Sequence, residues 1–354
     1  MTGATRPDDV SVARSRDLAA SAQRAVDEKT KPLGSLGDLE AWAIRLACIQ
    51  RTLTPRIDRA RVLVFAADHG VAAEGVSAYP AQVTTEMMRN FARGGAAINV
   101  LSRANDIDVE VIDVGVDADL ADLPGITHAK VRRGSRNLRH EPAMTTEECD
   151  AAIEVGRAVA RRAAADGVRA IGLGEMGIAN TTAAAALLSA LASAHPDATV
   201  GRGTGIDDAR LVHKRAVVAA ALARHAANVT DPAAPRAALT SLGGLELAAI
   251  AGAALEAPAH GIAVVADGFI SSVAVLAALR IEPAIAGHIF VAHESAEAGH
   301  GVAIDALGAR PMLRLGLRLG EGTGAALAIP LLRSAAVMLS EMATFADAGV
   351  SRES

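Results

Sequence analysis

Five short apolar runs recur along the chain, and each is followed within two residues by glycine or a polar residue. A mainly apolar run of about four to eight residues is typical of a strand buried on both faces, as in a parallel sheet. The pattern therefore predicts a parallel sheet with polar side chains at its carboxyl edge. The runs are residues 62–67, 109–114, 170–173, 262–265 and 288–291.

Segments with helical periodicity separate these runs. Strands that alternate with helices of this length form a mostly parallel sheet, with right-handed crossovers that place the helices on its faces. The predicted fold class is therefore α/β. The helical segments are residues 82–103, 146–165, 181–194, 208–227, 244–255 and 271–279.

Both ends of the chain show helical patterns without strands. Helices are predicted over residues 10–26 and 36–51, and over residues 324–346 at the other end. Because the apolar faces of these helices need partners, we expect the two ends to pack together. The predicted division is a small helical domain of residues 1–55 plus 325–354, beside a large α/β domain of residues 56–324 that carries the active site.

The composition is typical of a folded protein that binds small molecules. Of the 354 residues, 51% are hydrophobic and 21% are charged, which allows a large core. The 35 Lys and Arg residues are outnumbered by 40 Asp and Glu, and the net charge of -5 disfavours nucleic acid as a partner. Aromatic residues, at 2%, are too few for base-stacking surfaces.

The sequence also predicts a cytoplasmic protein without a membrane span. The longest apolar stretches, residues 247–255 and 269–279, are shorter than the ~18 residues that cross a bilayer. The first residues are polar and carry both signs of charge, unlike a secretory signal. Cys48 and Cys149 form no CxxC motif, so neither a disulfide framework nor a thiolate zinc site is expected.

A first glycine-rich loop is a candidate for binding phosphate. Residues 172–182 lead from a predicted strand into an Ala-rich helix. Glycines such as Gly177 allow a tight turn, Asn180, Thr181 or Thr182 can cap the helix, and the free N–H groups of the first helical turn suit a phosphate. The spacing matches neither GxGxxG nor a P-loop. An ordinary glycine turn with a helix cap is therefore an equal alternative.

A second loop contains Gly203, Thr204 and Gly205, and Lys214 follows on the next predicted helix. Backbone N–H groups of such a loop can hold an anion while the lysine ammonium supplies charge. The alternative is that Lys214 lies on a solvated helix face. Two anion-binding loops close together in the sequence favour one phosphate-bearing substrate.

Glu321 lies among glycine and apolar residues within residues 319–326. A carboxylate in an apolar setting has a raised pKa, which suits a general base. The alternative is that its charge stabilises the N-terminus of the following helix. The segment alone does not decide between the two.

Histidines and carboxylates that follow the first and the last predicted strands could bind a metal ion. Their spacing matches no metal-binding motif, so no metal or other cofactor is expected. The GxSxG motif of serine hydrolases is absent from the sequence. The residues considered are Asp68, His69, His288, His293, Glu294, Glu297 and His300.

The sequence resembles the nicotinate-nucleotide:dimethylbenzimidazole phosphoribosyltransferase family, whose members make α-ribazole phosphate for the lower ligand of cobalamin. The resemblance implies a Rossmann-like large domain, a second, smaller helical domain from both chain ends, and a homodimer. It is carried by ordered blocks over most of the chain: KPLGSLGDLE (31–40), ADHGVAAEGVSAYP (67–80), GGAAINVL (94–101), GEMGIANTT (174–182), GRGTGIDD (201–208), LGGLELAAIAGA (242–253), DGFISS (267–272), HESAEAGH (293–300) and GEGTGAA (320–326).

The resemblance also implies residue roles. Glu321 matches the family's catalytic base, Glu175 its other active-site carboxylate, and Lys214 the lysine after the GRGTG loop. The aromatic base is expected near Tyr79 and Gln82, with Met87 and Met88 as further candidates. The residues expected to hold the nucleotide are Gly177, Asn180, Thr181, Gly203, Thr204, Gly205 and Lys214.

The implied reaction transfers the 5-phosphoribosyl group from nicotinate mononucleotide to 5,6-dimethylbenzimidazole or a similar base, and yields α-ribazole 5'-phosphate and nicotinate. One departure from the family is Ala179, where glycine is usual (GEMGIGNTT). An alanine there is strained if the position has a positive φ. Two alternatives stay open: a nucleotide-binding regulator without chemistry, and a metal-assisted hydrolase acting on a phosphorylated nucleoside.

Overall fold

The computed structural model describes residues 7–229 and 234–351, and seven strands in these residues form one parallel sheet. The sheet order is β3-β2-β1-β4-β5-β6-β7, which is that of a doubly wound, Rossmann-like sheet with one more edge strand. The predicted α/β class is therefore confirmed. The strands are β1 (Ala60–Ala67), β2 (Asp108–Gly115), β3 (Ile126–His128), β4 (Ala170–Met176), β5 (Ala263–Ala266), β6 (Ile289–His293) and β7 (Pro311–Leu313).

Helices cover both faces of this sheet. Short 3-10 helices at Gly70–Glu74, Ala257–His260 and Pro283–His288 complete the connections. The α-helices are α1 (Pro7–Asp27), α2 (Asp38–Gln50), α3 (Gln82–Ala92), α4 (Ala97–Ala104), α5 (Thr146–Ala165), α6 (Asn180–Leu191), α7 (Pro196–Thr199), α8 (Asp208–Arg224), α9 (Ala226–Val229), α10 (Pro235–Leu242), α11 (Leu245–Glu256), α12 (Phe269–Ile281), α13 (His300–Leu307), α14 (Thr323–Glu341) and α15 (Phe345–Ala348).

Two hydrophobic clusters lie on opposite faces of the sheet. Alternate residues of β1 show the division, since Leu63 and Phe65 belong to one cluster while Val62 and Val64 belong to the other. The first cluster includes the apolar faces of α5, α6, α11 and α12. The second includes those of α1, α2 and α14. Strands buried on both sides read as continuous apolar runs, which is why the sequence pattern located them.

Helices α5 and α11 pack with their backbones unusually close, because both carry glycine at the crossing. A Cβ atom on Gly156 would collide with the carbonyl oxygen of Ala249, and one on Gly252 would collide with that of Ile153. Small residues here replace the aromatic side chains that fill the cores of many proteins. The low aromatic content is thus matched by close helix packing.

The helix predicted over residues 82–103 is wrong as one element. The structure divides it into α3 and α4, and Gly94 between them has a φ of 75°. A left-handed residue cannot continue a right-handed helix, and glycine adopts it without strain. The edge strands β3 and β7 were not predicted.

The two ends of the chain meet, as expected. The Lys29 ammonium donates to the Met342 carbonyl at 2.6 Å, and α1, α2 and α14 share one apolar cluster. That cluster also contains residues of β1, such as Val64, so α14 lies between the terminal helices and the sheet. The division into two domains stays a prediction.

By length and composition alone, helix α14 could cross a bilayer, since an 18-residue stretch of it has a mean hydropathy of 1.4. From the sequence, this segment was predicted as a helix and was not among the stretches compared with the length of a membrane span. In the structure, 61% of that stretch is buried inside the protein. Packing against the sheet and α2 accounts for its apolar character.

Candidate active site

A cleft of about 440 Å³ lies at the carboxyl edge of the sheet. Residues that follow β4, β5 and β6 line it, together with side chains of α3 such as Val83 and Met87. Strands β1 and β4 are neighbours at the point where the strand order reverses, and ligands of doubly wound sheets bind at such a switch point. The position of the cleft therefore follows from the topology.

Glu175 is the penultimate residue of β4 and lines this cleft, although only 6% of its surface is exposed. The side-chain amide of Asn180 donates to one of its oxygens. Burial raises the pKa of Glu175 to about 8, and the nearby charges of Glu246 and Asp267 act in the same direction. The protonated form of this carboxyl is therefore favoured at neutral pH.

Glu321 lines the same cleft from the turn that precedes α14. Its φ of 63° is left-handed, and its neighbours Gly320 and Gly322 have φ values of 86° and 89°. The turn directs the side chain into a buried position, where one oxygen accepts the backbone N–H of Ile98 at 3.2 Å. Burial raises the pKa of Glu321, as general-base chemistry near neutral pH requires.

The two carboxylate segments interlock through glycines. A Cβ on Gly174 would collide with the carbonyl oxygen of Glu321, and a Cβ on Gly320 would collide with the carboxylate of Glu175. Each loop thus needs a glycine where the other loop touches it. The structure brings Glu175 and Glu321 together as the sequence predicted.

Asp267, not Glu321, stabilises the N-terminus of α14. Its two carboxylate oxygens accept the backbone N–H groups of Gly322 at 3.2 Å and Ala325 at 3.0 Å. Complete burial still raises the pKa of Asp267 to about 7, despite these hydrogen bonds. The side-chain hydrogen bonds at the N-terminus of α14 thus come from Asp267, while the Glu321 carboxylate accepts the N–H of Ile98.

The first glycine-rich loop joins β4 to α6. Ala179 precedes the helix with a φ of 74°, so this position has the left-handed conformation that favours glycine. The N–H of Ile178 donates to Thr84 Oγ1 at 3.1 Å, and that of Asn180 to the Gly177 carbonyl at 3.1 Å. Two of the predicted anion-binding amides are therefore engaged within the protein.

Lys214 is not on a solvated helix face, since only 1% of it is exposed. Its ammonium donates to Thr181 Oγ1 at 2.9 Å and to the Gly201 carbonyl at 3.2 Å. Gly203 covers it, with a Cβ position only 3.2 Å from the nitrogen. Burial lowers the pKa of Lys214 to about 8, while the charge of Glu297 opposes this shift.

Three residues proposed from the sequence lie elsewhere than expected. Gln82 is exposed at the first position of α3, and neither it nor Gly205 lines the cleft. Lys214 contacts Thr181 and does not itself line the cleft. A helix face repeats every three to four residues, so Val83 and Met87 of α3 face the cleft and Gln82 does not.

Tyr79, Gly203 and Thr204 do line the cleft. Tyr79 is 55% exposed. The hydroxyl of Thr204 is already engaged, since it accepts the N–H of Ala78 at 2.9 Å and lies 3.1 Å from Ser77 Oγ. These bonds connect the second glycine loop to the segment that carries Tyr79, across the mouth of the cleft.

Further lining residues were not proposed as substrate contacts from the sequence. The signal was present, because Asp267 directly follows β5 and His293 ends β6, just as Glu175 lies at the carboxyl end of β4. Ser295 and Glu297 follow β6, and Arg318 precedes the Glu321 turn. The spacing gives no sign that these loops meet.

Two of the histidines considered as metal ligands, His300 and His69, are engaged in other contacts. His300 Nδ1 accepts the N–H of Ser295 at 2.7 Å, and its Nε2 lies 3.0 Å from Ser272 Oγ. His69 pairs with Glu246. Among the side chains that the structure describes, in residues 17–229 and 234–351, no group of three or more His, Cys, Asp or Glu could hold a metal ion.

Comparison with known proteins identifies the family of this chain. A family model described as phosphoribosyltransferase (DBI_PRT) matches residues 13–350. The nicotinate-nucleotide–dimethylbenzimidazole phosphoribosyltransferase of Cupriavidus taiwanensis is 51% identical over 332 residues, which cover 94% of this chain and 95% of the relative. The chain belongs to this family. The enzyme of the same name from Chromobacterium violaceum is 52% identical, over 95% of this chain and 96% of its own.

Solved structures of the family have the same fold. The crystal structure of CobT from Thermus thermophilus matches with a TM-score of 0.91 at 50% identity, and the match covers 95% of this chain and 100% of that one. A second structure, named as the phosphoribosyltransferase from the same organism, matches with a TM-score of 0.89 at 49% identity, over 95% and 99% of the two chains. Family membership thus extends over nearly the whole chain.

Proposed function

We propose that this chain transfers the 5-phosphoribosyl group of nicotinate mononucleotide to 5,6-dimethylbenzimidazole or a similar base, in the synthesis of the cobalamin lower ligand. The products are α-ribazole 5'-phosphate and nicotinate. Relatives of about half identical sequence carry the name of this activity over nearly their full length. The observation that carries the proposal is the interlocking of the Glu175 and Glu321 segments at one cleft.

In this reaction one benzimidazole nitrogen forms a bond to C1' of the ribose, and the bond from C1' to the pyridine nitrogen breaks. The electrons of the broken bond neutralise the pyridinium ring, so nicotinate is a good leaving group. Attack on the face opposite the leaving group converts the β configuration to α. The proton on the other benzimidazole nitrogen must then leave, and Glu321 accepts it.

Glu175 is proposed to face the ribose, which gains positive charge as the C1' bond breaks. A buried carboxylate near that charge stabilises it strongly, since little water screens the interaction. Burial raises the pKa of Glu175, but a bound cation favours the ionised form. Nicotinate mononucleotide supplies that cation as its pyridinium ring.

The phosphate is proposed to lie between the two glycine loops, near Thr181 and Gly203. Both residues line the cleft, and the Lys214 ammonium donates to Thr181 immediately behind it. Lys214 therefore acts as a positive charge under the loop and orients the hydroxyl that contacts the phosphate. The benzimidazole is proposed to enter from the side of Met87 and Tyr79.

A direct assay tests the proposed function. Purified protein is incubated with nicotinate mononucleotide and 5,6-dimethylbenzimidazole. The products are separated by chromatography, which gives their amounts, and identified by mass spectrometry. We expect nicotinate and α-ribazole 5'-phosphate in equal amounts, with the same rate after dialysis against a chelator. Nicotinate released without the ribazole would indicate a hydrolase, and tight nucleotide binding without either product would indicate a regulator.

We also propose that the chain acts as a homodimer in the cytoplasm, with small molecules as its only partners apart from its own copy. The net charge of -5 and the scarcity of aromatic residues support the absence of nucleic acid. Sedimentation equilibrium tests the assembly. A monomer at micromolar concentration would contradict the dimer.

A further inference from the structure

The residue that precedes helix α4 cannot cap the helix. The first N–H groups of an α-helix have no partner inside the helix, and the preceding residue usually supplies a side-chain oxygen that accepts one of them. In α4 the preceding residue is Ala96, whose side chain has no such atom. The helix therefore needs an acceptor from another part of the chain.

Glu321 provides that acceptor, although it lies 223 residues away in the sequence. Its carboxylate oxygen Oε2 accepts the N–H of Ile98, the second residue of α4, at 3.2 Å. The free N–H groups at the N-terminus of a helix stabilise a negative charge. The hydrogen bond from Ile98 thus favours the ionised form of Glu321 and lowers its pKa, whereas burial raises it.

The other carboxylate oxygen of Glu321 is left for the substrate. Oε1 has no hydrogen-bond partner among the residues that the structure describes, and the side chain lines the cleft. In the proposed reaction, one benzimidazole nitrogen bonds to C1' while the N–H bond of the other nitrogen breaks. The electrons of that bond stay on the ring, and the proton forms an O–H bond with the carboxylate. Because Oε2 is engaged by Ile98, Oε1 is the oxygen available for the proton.

Two contacts fix the first turn of α4. The side-chain oxygen of Asn99 accepts the N–H of Ala96 at 3.1 Å, which closes the turn. The side chain of Ile98 is fully buried, in the same apolar cluster as Ile329 and Leu332 of α14. Helix α4 thus packs against the helix that follows the Glu321 turn, and its N-terminus has a fixed place relative to the carboxylate.

Two other carboxyl groups lie against the Glu321 turn and contact its backbone. Asp267 accepts the backbone N–H of Gly322 at 3.2 Å. The Glu175 carboxylate lies directly against Gly320, where a Cβ atom would collide with it. Neither group hydrogen bonds to the Glu321 side chain within the part of the chain that the structure describes. The direction of that side chain therefore depends on the N-terminus of α4.

We propose that the N-terminus of α4 positions the general base: the Ile98 N–H holds Glu321 Oε2, so that Oε1 faces the benzimidazole, and Asn99 is the positioning residue that fixes the first turn. This inference rests on the proposed function, in which Glu321 accepts the proton. It gives the segment GGAAINVL (94–101) a role in the reaction, although none of its residues lines the cleft.

The decisive variant removes only the N–H of Ile98. Incorporation of the α-hydroxy analogue of isoleucine at position 98, by a suppressor tRNA, replaces the amide with an ester and keeps the side chain. Glutamate carboxyl groups are labelled with ¹³C and titrated by NMR, and the Glu321 signal is identified by its loss in Glu321→Gln. A hydrogen bond to the charged form lowers the pKa of a carboxyl group, so without it we expect the Glu321 midpoint to rise by about one pH unit.

The ester protein should also separate kcat from KM. We expect kcat with 5,6-dimethylbenzimidazole to fall at least about tenfold, because the base is no longer held in the reactive orientation. The acid limb of the kcat profile should move to higher pH together with the Glu321 midpoint, since the base must be ionised. KM for nicotinate mononucleotide should change less than about threefold, because no residue of α4 lines the cleft.

The matched ester control is at Ala284, outside the cleft. Its N–H also donates to a glutamate carboxylate, Glu282 Oε1, at 3.3 Å. Lactic acid incorporated at position 284 removes that N–H and keeps the methyl side chain. This protein should lose some stability without a change in the Glu321 midpoint or in kcat.

Ordinary mutagenesis tests the same turn. Asn99→Ala removes the acceptor of the Ala96 N–H, so we expect a higher Glu321 midpoint, a lower kcat and an unchanged KM for nicotinate mononucleotide. Asn105→Ala, at the other end of α4, is the control, because Asn105 Nδ2 donates to the Leu101 carbonyl at 2.9 Å. It should lose stability and leave the Glu321 midpoint and kcat unchanged.

An unchanged Glu321 midpoint in the ester protein overturns the inference, as do equal effects of the two asparagine variants on the midpoint and kcat. The NMR midpoint needs no turnover. A protein that fails the product assay therefore contradicts the proposed function, while the midpoint still decides whether α4 holds the Glu321 carboxylate.

Discussion

Ala179 is a residue whose backbone conformation conflicts with its side chain. Its φ of 74° places it in the left-handed region, which costs a non-glycine residue about 1 kcal/mol or more. The chain tolerates the strain because β4 and α6 fix both ends of the turn.

We therefore predict that Ala179→Gly stabilises the protein by roughly 0.5–1 kcal/mol, because relief of strain exceeds the entropy that glycine adds to the unfolded chain. Urea denaturation measures the change. Ala20→Gly is the control, since Ala20 is exposed within helix α1 and glycine there should destabilise by about 1 kcal/mol. Equal losses in both variants would show that position 179 is unstrained in solution.

Lys214 offers a second test at this scale. Lys214→Met keeps the length of the buried side chain and removes the charge behind Thr181. We predict that KM for nicotinate mononucleotide rises at least about tenfold, equivalent to 1.4 kcal/mol, because the phosphate loses a favourable charge. KM for the base should change less than about threefold by the same measure. Initial rates, measured with each substrate varied in turn, give the two KM values. A rise in KM for the base alone would contradict the phosphate assignment.

The sequence predicted the chemistry of single residues better than their surroundings. Glu175 and Glu321 were proposed from their motifs and the family resemblance, and both line the cleft. The burial of Lys214 could not be predicted, because it depends on Gly203 and Thr181 folding over it. The exclusion of Gln82 likewise depends on which face of α3 meets the sheet.

At the scale of elements, the crossing of α5 and α11 depends on glycine. We predict that Gly252→Ala destabilises the protein by about 1–3 kcal/mol, because the methyl group collides with the Ile153 backbone. Gly301→Ala in α13 is the matched helical control, since its Cβ meets nothing within 4 Å. It should be neutral or stabilise by about 0.5–1 kcal/mol. Equal effects in urea denaturation would contradict the close approach.

Elements buried on both faces were predictable, and edge elements were not. The five predicted strands are the central strands of the sheet, where burial imposes an apolar run. The edge strands β3 and β7 have three residues each and are only partly buried, so they leave no such run. The break between α3 and α4 needs one left-handed glycine, which periodicity does not reveal.

At the scale of the whole molecule, the buried carboxyl groups of the cleft link stability to pH. Burial raises the pKa of Glu175 to about 8 and that of Asp267 to about 7, far above the values of an unfolded chain. The folded protein therefore holds protons that the unfolded chain has already released. Stability from this source is complete at acidic pH and falls as the pH rises towards these values.

We predict that Glu175→Gln removes part of this dependence. At pH 9 its Tm should exceed that of the wild type by about 3 °C or more, while near pH 4 the two should agree, since the wild-type carboxyl is then protonated in both states. Scanning calorimetry across this range measures the difference. Glu86→Gln, at an exposed position of α3, is the control and should leave Tm unchanged at both values. A variant less stable than wild type at pH 9 would contradict the raised pKa.

The meeting of the chain ends was also predictable, because helices without strands need apolar partners. The packing of these helices against the sheet was not predictable. In the structure, α14 shares one apolar cluster with α1, α2 and β1. The same packing fixes the Glu321 turn, which connects α14 to the cleft. Helix α14 thus connects the active-site cleft to the helices at the two ends of the chain.

The most direct test of the account is the turnover of Glu321→Gln, which keeps the shape of the side chain and removes its ability to accept a proton. The account predicts that kcat with 5,6-dimethylbenzimidazole falls by about 10²–10⁴, the usual contribution of a general base. Calorimetric binding of nicotinate mononucleotide should stay within about threefold of wild type, or ~0.7 kcal/mol. A variant that turns over at nearly the wild-type rate would contradict the assignment of Glu321 as the base.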